Sequence, residues 1–178
     1  VKETWLGEVR TSMVPANVAK LIKTGFSVVI EKDAGEASGF ANTAYEDAGA
    51  RIESDRGAIL GSSQVLLGVR KFELAELDSI KKNTVCISFL DPYNEKDLVE
   101  AMATAGLTAI SMEMVPRSTR AQKMDALSSQ ANLAGYVTVI QAASYSPKIL
   151  PMMMTPAGTI APARVCLLYT SPSPRDLH

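Results

Sequence analysis

The chain has 178 residues, of which 47% are hydrophobic and 21% are charged, and its formal net charge is −1. This composition is typical of a folded globular protein and provides no positive surface for a nucleic-acid backbone or an anionic membrane. The two cysteines lack the spacing of metal ligands, and the single histidine is His178. We therefore expect no metal site and no nucleic-acid partner. Because polar residues interrupt every long apolar stretch, we also expect no direct membrane insertion of this segment.

Short apolar runs alternate with helical patterns through the first two thirds of the chain. Four runs are continuous and bounded by polar or glycine residues, as in strands buried on both faces of a parallel sheet: Phe26–Ile30, Val65–Val69, Thr84–Phe89 and Leu107–Met112. Helical spacing of apolar residues is found at Pro15–Thr24, Asn42–Ala48, Glu73–Asp78 and Asn94–Ala105. This alternation predicts an α/β fold with a doubly wound, mostly parallel sheet of the Rossmann or flavodoxin type.

The pattern changes after residue 120. A long connecting helix is predicted over roughly Gln122–Tyr145, and the prolines from Pro147 to Pro162 then predict an ordered connection toward a second domain. The final stretch begins like a strand but runs into Ser-Pro-Ser-Pro, which we interpret as a non-native, disordered tail. The predicted organisation is an α/β domain over residues 1–120, a helix and connection over residues 121–165, and a tail over residues 166–178.

The segment Val115–Tyr136 (VPRSTRAQKMDALSSQANLAGY) resembles the most characteristic motif of the NAD(H)-binding component of proton-translocating nicotinamide nucleotide transhydrogenases, a family related to alanine dehydrogenase. Further similarity lies at Glu8, Arg10, Gly35–Ser38 and Thr155–Val165. In that family the Pro-Ala-Arg-Val stretch leads into a strand and a Gly-x-Gly-x-x-Gly turn. The resemblance therefore identifies the chain as an N-terminal fragment whose dinucleotide-binding domain is truncated.

The resemblance implies hydride transfer between NADH and NADP⁺, coupled to proton translocation in the complete assembly. It also implies that Arg117, Asp125 and Ser128 hold the nicotinamide end of NAD(H), with Gln122 near the ribose and facing NADP(H) on a partner component. Guanidinium, amide, carboxylate and hydroxyl groups can bind a carboxamide and a ribose without proton transfer, which suits a reaction whose chemistry the cofactors carry. A purely structural alternative is that Asp125 caps a helix and Arg117 forms an exposed ion pair.

The implied partners are the NADP(H)-binding and membrane-spanning transhydrogenase components, together with a second copy in a homodimer. The implied location is cytoplasmic and peripheral to the inner membrane through those partners. Two thiols without a disulfide framework and the lack of a visible signal sequence favour the cytoplasm as well. We expect residues 1–178 alone to be inactive and to bind NADH weakly, because pyrophosphate recognition depends on a glycine-rich turn and a helix N-terminus.

Two other functions remain open. One is an alanine-type amino-acid dehydrogenase, in which Arg10 would take the place of the arginine that binds the substrate carboxylate. By the same alignment the substrate-binding lysine of those enzymes falls at Gly68 and their catalytic histidine near Phe89, and neither residue here can replace those groups. The other is a catalytically inactive folding or dimerisation module. Asp91-Pro92 is interpreted as a turn and Met152–Met154 as interdomain packing.

Overall fold

The computed structural model describes residues 1–166, so the predicted tail lies outside the described residues apart from Cys166. The chain divides into two compact units, Val1–Leu127 and a second unit that begins at Ser128. In the first unit strands and helices alternate. The strands are β1 (Val29–Glu31), β2 (Arg51–Glu53), β3 (Val65–Leu67), β4 (Val85–Ser88) and β5 (Thr108–Ser111). The α-helices are α1 (Pro15–Lys23), α2 (Asn42–Asp47), α3 (Arg56–Ser62) and α4 (Lys96–Thr104).

The predicted α/β fold is confirmed, although two of its elements were not predicted. Each of the four predicted strands is present in shortened form. Strand β2 has a charged residue at each end and a single apolar residue, Ile52, so it does not form an apolar run. Helix α3 contains two glycines in seven residues, and it begins where the Asp55 carboxylate accepts a hydrogen bond from the Ala58 N–H at 3.1 Å. The two glycines disfavour a helix here, whereas the N-cap at Asp55 favours one.

All strand pairs of the first unit are parallel, and they form two sheets. Strand β1 pairs with β2, and β4 lies between β3 and β5 with Cys86 opposite Leu66 and Ala109. Within the described residues β1 and β3 each have one unpaired edge. A cavity of about 560 Å³ lies between these edges and is lined by residues of both strands, including Ile30 and Leu66.

Each sheet has its own group of buried side chains. Around the three-stranded sheet, Leu66 and Cys86 pack with Leu98 and Met102 of helix α4, all at most 2% exposed. A second group surrounds β1, and its buried members are Val18, Ile30, Tyr45 and Ala50. Fully burying side chains of leucine or methionine size contributes ~1.5–3 kcal/mol each, so these groups fix the helices on the sheets.

A partly buried charge network links strand β1 to helix α3 and to the segments around Glu76 and Lys2. The Arg56 guanidinium donates to the Glu31 carboxylate at the end of β1 at 2.7 Å and to the Glu76 carboxylate at 2.5 Å. It also donates to the Lys2 carbonyl at 2.8 Å, while the Lys2 N–H donates to Glu31 at 2.8 Å. Without the guanidinium, the two largely buried carboxylates would lose the positive charge that now pairs with them. Arg56 therefore stabilises the arrangement of the first unit.

The second unit consists mainly of helix α5 (Ala126–Tyr145), followed by an antiparallel hairpin of β6 (Met153–Thr155) and β7 (Gly158–Ile160). The predicted long connecting helix is confirmed, and its start is at Ala126 because residues Gln122–Met124 form a 3₁₀ turn. Within residues 1–166 no helix is both long enough and apolar enough to cross a bilayer. The predicted domain boundaries at residues 120 and 165 stay predictions.

Candidate functional site

The carboxyl ends of β3, β4 and β5 meet at one edge of the three-stranded sheet, which is where ligands of open α/β folds bind. Two carboxylates hold the backbone where strands end at this edge. Glu3 accepts hydrogen bonds from the Val69 N–H at 2.6 Å and the Arg70 N–H at 3.0 Å, just beyond β3. Glu113 accepts from the Leu90 N–H at 3.3 Å and from the Asp91 N–H, just beyond β4.

A charged cluster near the N-terminus joins the loop after β3. The Glu8 carboxylate, with a side chain only 5% exposed, accepts hydrogen bonds from the Arg10 guanidinium at 2.7 and 2.6 Å, from the Arg10 backbone N–H at 3.1 Å and from Arg70 at 2.9 Å. The hydrogen bond from Arg10 is the main reason that the pKa of Glu8 is lowered to about 2. The Trp5 ring lies 5.8 Å from the Arg70 guanidinium carbon and 5.1 Å from Lys71 Nζ, within cation–π range.

This cluster predicts a pH dependence of stability. The pKa of Glu8 is about 2 in the folded chain against an ordinary value of 4.5, so its carboxylate contributes stability that is fully present above pH 4.5 and is lost as the pH falls toward 2. We expect Glu8→Gln to lose less stability than the wild type between pH 6 and pH 3. Urea midpoints of both proteins at the two pH values measure this difference, and equal losses would contradict the assignment.

The loop that carries the predicted nicotinamide-binding residues is a chain of tight turns. The Ala121 N–H donates to the Ser118 carbonyl at 3.0 Å, and the Met124 N–H donates to the Ala121 carbonyl at 2.8 Å. Ala121 is 5% exposed and anchors the middle of the loop, whereas Arg117 is exposed. The turns make the loop compact, and Ala121 is its one buried residue between residues 117 and 125.

The structure places three of the four predicted site residues on this loop. Arg117 and Gln122 are exposed, and Asp125 is half-buried, with its N–H donating to the Gln122 carbonyl at 3.3 Å. Ser128 lies in the first turn of helix α5 and belongs to the second unit. Asp125 directly precedes Ala126, the first residue of α5, which is the position of a helix N-cap. Their role in binding stays a prediction.

The position where alanine dehydrogenases carry a substrate-binding lysine is enclosed in this chain. A Cβ atom on Gly68 would lie 3.0 Å from the Arg70 carbonyl oxygen and 3.7 Å from Ser88 Cβ. The hydroxyl of Ser88 is buried and has no hydrogen-bond partner within residues 1–166. A larger side chain at residue 68 would therefore have to displace backbone. No group of three histidine, cysteine or acidic residues in the described part of the chain could hold a metal ion.

Comparison with known proteins identifies the family. The model of the family "Alanine dehydrogenase/PNT, N-terminal domain" matches residues 1–134. The chain belongs to this family. Among members, an NAD(P) transhydrogenase alpha-subunit protein of Rickettsia prowazekii is 38% identical, covering 94% of this chain and 45% of the relative. The corresponding protein of Rhodospirillum rubrum is 40% identical, covering 92% and 44%. Alanine dehydrogenase 1 of Staphylococcus aureus is 36% identical, covering 82% and 38%.

Solved structures of the alanine dehydrogenase/PNT family give the same order of similarity. A transhydrogenase from Sinorhizobium meliloti is 45% identical with a TM-score of 0.85, covering 92% of this chain and 48% of that one. An L-alanine dehydrogenase is 31% identical with a TM-score of 0.63, covering 67% and 33%. The chain thus spans less than half the length of these relatives. The predicted family is confirmed.

The sequence did not reveal the two carboxylates that hold the strand ends. Glu3 lies 66 residues before Val69, and Glu113 lies 23 residues after Leu90, so no local spacing connects them to their partners. The sequence offers one signal, the position of Glu113 relative to a predicted strand. Glu113 follows a predicted buried strand by one residue, at the edge of the sheet where polar side chains have functional meaning.

Proposed function

We propose that the chain is the N-terminal part of the NAD(H)-binding component of a proton-translocating NAD(P) transhydrogenase, which transfers hydride between NADH and NADP⁺. The observation that carries the proposal is the extent of the similarity. Transhydrogenase alpha subunits match 92–94% of the chain, against 82% for alanine dehydrogenase 1. The TM-scores of 0.85 and 0.63 differ in the same direction.

In this proposal Arg117, Asp125 and Ser128 hold the nicotinamide end of NAD(H), and Gln122 lies near the ribose and faces NADP(H) on the partner component. When bound, the nicotinamide ring supplies or accepts the hydride, and the protein orients it and excludes water. The side chains fit this task, because an exposed guanidinium and amide on a compact loop can bind a carboxamide and a ribose. Hydride transfer requires no general acid or base, so the task proposed for these four residues is orientation.

The proposal extends to partners. The NADP(H)-binding and membrane-spanning components would act with this chain, which would lie on the cytoplasmic side of the inner membrane and pair with a second copy. Exposed apolar side chains surround helix α5, namely Leu133, Tyr136, Val137, Val139 and Ile140. A helix that is apolar on all sides is normally buried. This feature supports a larger assembly around the second unit.

Alanine-type dehydrogenation is the second candidate, because alanine dehydrogenase 1 is 36% identical over 146 residues. The sequence resemblance also implies that Arg10 takes the place of the arginine that binds the substrate carboxylate. Two observations disfavour it. Residues 1–166 contain no histidine to act as acid and base. The lysine position is occupied by Gly68, whose close surroundings are filled by backbone and side-chain atoms.

Assays of the full-length protein distinguish the two candidates. With the NADP(H)-binding partner added, we expect reduction of NADP⁺ or its analogue by NADH. With NAD⁺ and L-alanine, we expect no NADH production above background. Efficient alanine oxidation without transfer between nucleotides would overturn the proposal.

A further inference from the structure

Glu113 connects the end of the sheet to the loop that carries Arg117. It lies in the 3₁₀ turn Met112–Met114 that follows β5, and its carboxylate accepts the N–H groups of Leu90 and Asp91 after β4. Leu90 is 2% exposed, so one end of this contact is fixed in the core. Asp91 is exposed and its backbone has φ of 52°, in the left-handed region, so the chain turns directly after the strand.

We propose that Glu113 is a positioning residue for hydride transfer, which sets the place of Arg117 by fixing the start of its loop on the end of β4. The inference rests on the proposed function, in which Arg117 binds the nicotinamide end of NAD(H). Glu113 itself would not touch the nucleotide. It is distinct from the four residues assigned to binding.

The link between Glu113 and Arg117 is short and stiff. Val115 is extended, with φ of −60° and ψ of 123°, and it precedes Pro116. Proline fixes its own φ near −65° and restricts the residue before it to extended conformations. Because the backbone between them has little freedom, a displacement of Glu113 would also displace Arg117. The loop is held again at the buried Ala121, so Arg117 lies between two anchors.

The charge of Glu113 suits this role. Burial alone would raise the pKa of Glu113, but the Ser111 hydroxyl and the backbone N–H groups of Glu113, Asp91 and Leu90 favour the ionised form and hold its pKa below the usual range. At neutral pH both of its oxygens therefore accept hydrogen bonds. In Glu113→Gln one oxygen becomes an NH₂ donor that faces a backbone N–H, so one of the two hydrogen bonds is lost.

The test uses the full-length protein with its NADP(H)-binding partner and compares Glu113→Gln with Glu53→Gln. Glu53 is the control, because one of its carboxylate oxygens accepts the N–H groups of Ser54 and Asp55 at 3.0 and 3.2 Å after β2 and the other pairs with Arg51 at 2.9 Å, away from the Arg117 loop. In nucleotide-free Glu113→Gln, amide hydrogen exchange across residues 115–121 should become about tenfold faster. Single-turnover hydride transfer should fall about tenfold with little change in NADH affinity. Glu53→Gln should change neither quantity.

A double-mutant cycle with Arg117→Ala separates this inference from the proposed function. If Glu113 acts through Arg117, Glu113→Gln should reduce transfer by no more than about twofold in the Arg117→Ala background. If the losses of transfer rate in the two single variants add fully in the double variant, the positioning role alone is overturned. It is also overturned if Glu113→Gln transfers hydride normally while Arg117→Ala is impaired. Wild-type transfer in Arg117→Ala would overturn the proposed function and the inference with it. Should Glu113→Gln fold poorly, Glu113→Asp keeps the charge and should show the same pattern with a smaller loss.

Discussion

In the full-length protein, Arg117→Ala is expected to slow hydride transfer to NADP⁺ about 100-fold while leaving thermal stability nearly unchanged. Arg117 is exposed on its loop, so its removal opens no cavity in the core. Its proposed contact orients the reacting ring, and small misplacements of a reactant can cost ~100-fold in rate. NADH affinity should fall less than the rate, because the adenosine and pyrophosphate would still anchor the dinucleotide. Single-turnover kinetics, NADH titration and thermal melts measure the three quantities.

Substitutions at Asp125 distinguish the binding role from a structural one. Asparagine caps helices about as well as aspartate, so Asp125→Asn preserves a cap at the start of α5 and removes only the charge. We expect this variant to lose transfer activity as Arg117→Ala does, at wild-type stability. Asp125→Ala should in addition cost ~1 kcal/mol of stability if the carboxylate also caps the helix. Wild-type transfer rates in Asp125→Asn and Arg117→Ala would contradict the site assignment. A loss of transfer rate in proportion to a large loss of thermal stability would favour the structural role.

The central strands could be predicted because burial on both faces leaves a composition that is visible in the sequence. Strand β4 has Cys86 and Ser88 fully buried within a mainly apolar run, whereas β3 has one buried residue and β5 has none. The division into two sheets could not be predicted in this way. It depends on which strands pair across long sequence separations, and the runs at β1 and β3 look alike in composition. Non-local pairing is a property of the packed chain rather than of any window of residues.

The start of helix α5 shows a second limit. Helical spacing extends back to Gln122, but Asp125 has ψ of 88°, outside the helical range, so the first turn separates as a 3₁₀ segment. The proposed site was identified from a contiguous motif, Arg117 to Ser128, and its binding role stays a prediction. Glu113 acts on backbone groups more than twenty residues away, and a backbone N–H has no signature in the sequence.

Gly35→Ala is expected to destabilise the first unit by about 3 kcal/mol, since inserting a methyl group into a tight core costs ~1–3 kcal/mol and disturbing a buried hydrogen bond adds ~1–3. The backbone of Gly35 has φ of −102°, so its conformation does not require glycine. The requirement is space. A Cβ atom there would lie 2.6 Å from Tyr45 Cε2 and 2.9 Å from the Phe40 carbonyl oxygen.

Tyr45 has little room to move away from such a methyl group. It is fully buried, its hydroxyl donates to the Met13 carbonyl at 2.8 Å, and its ring packs edge-on against Phe40 with centroids 6.4 Å apart. Relief of the overlap must therefore displace either this ring or the backbone turn in which the Phe40 N–H donates to the Gly35 carbonyl at 2.9 Å. Both routes disrupt the group of buried side chains around β1.

Urea denaturation followed by circular dichroism measures this effect, with Gly61→Ala as the matched control. Gly61 lies inside helix α3, and a Cβ atom there would lie 3.7 Å from the Ser79 carbonyl oxygen, an ordinary contact distance. Alanine is favoured over glycine in a helix by up to ~1 kcal/mol, so Gly61→Ala should match or exceed wild-type stability. The same chemical change is thus expected to act in opposite directions at the two sites. A Gly35→Ala midpoint equal to that of the control would mean that the turn at Gly35 relaxes freely and that Tyr45 is not held as the structure places it.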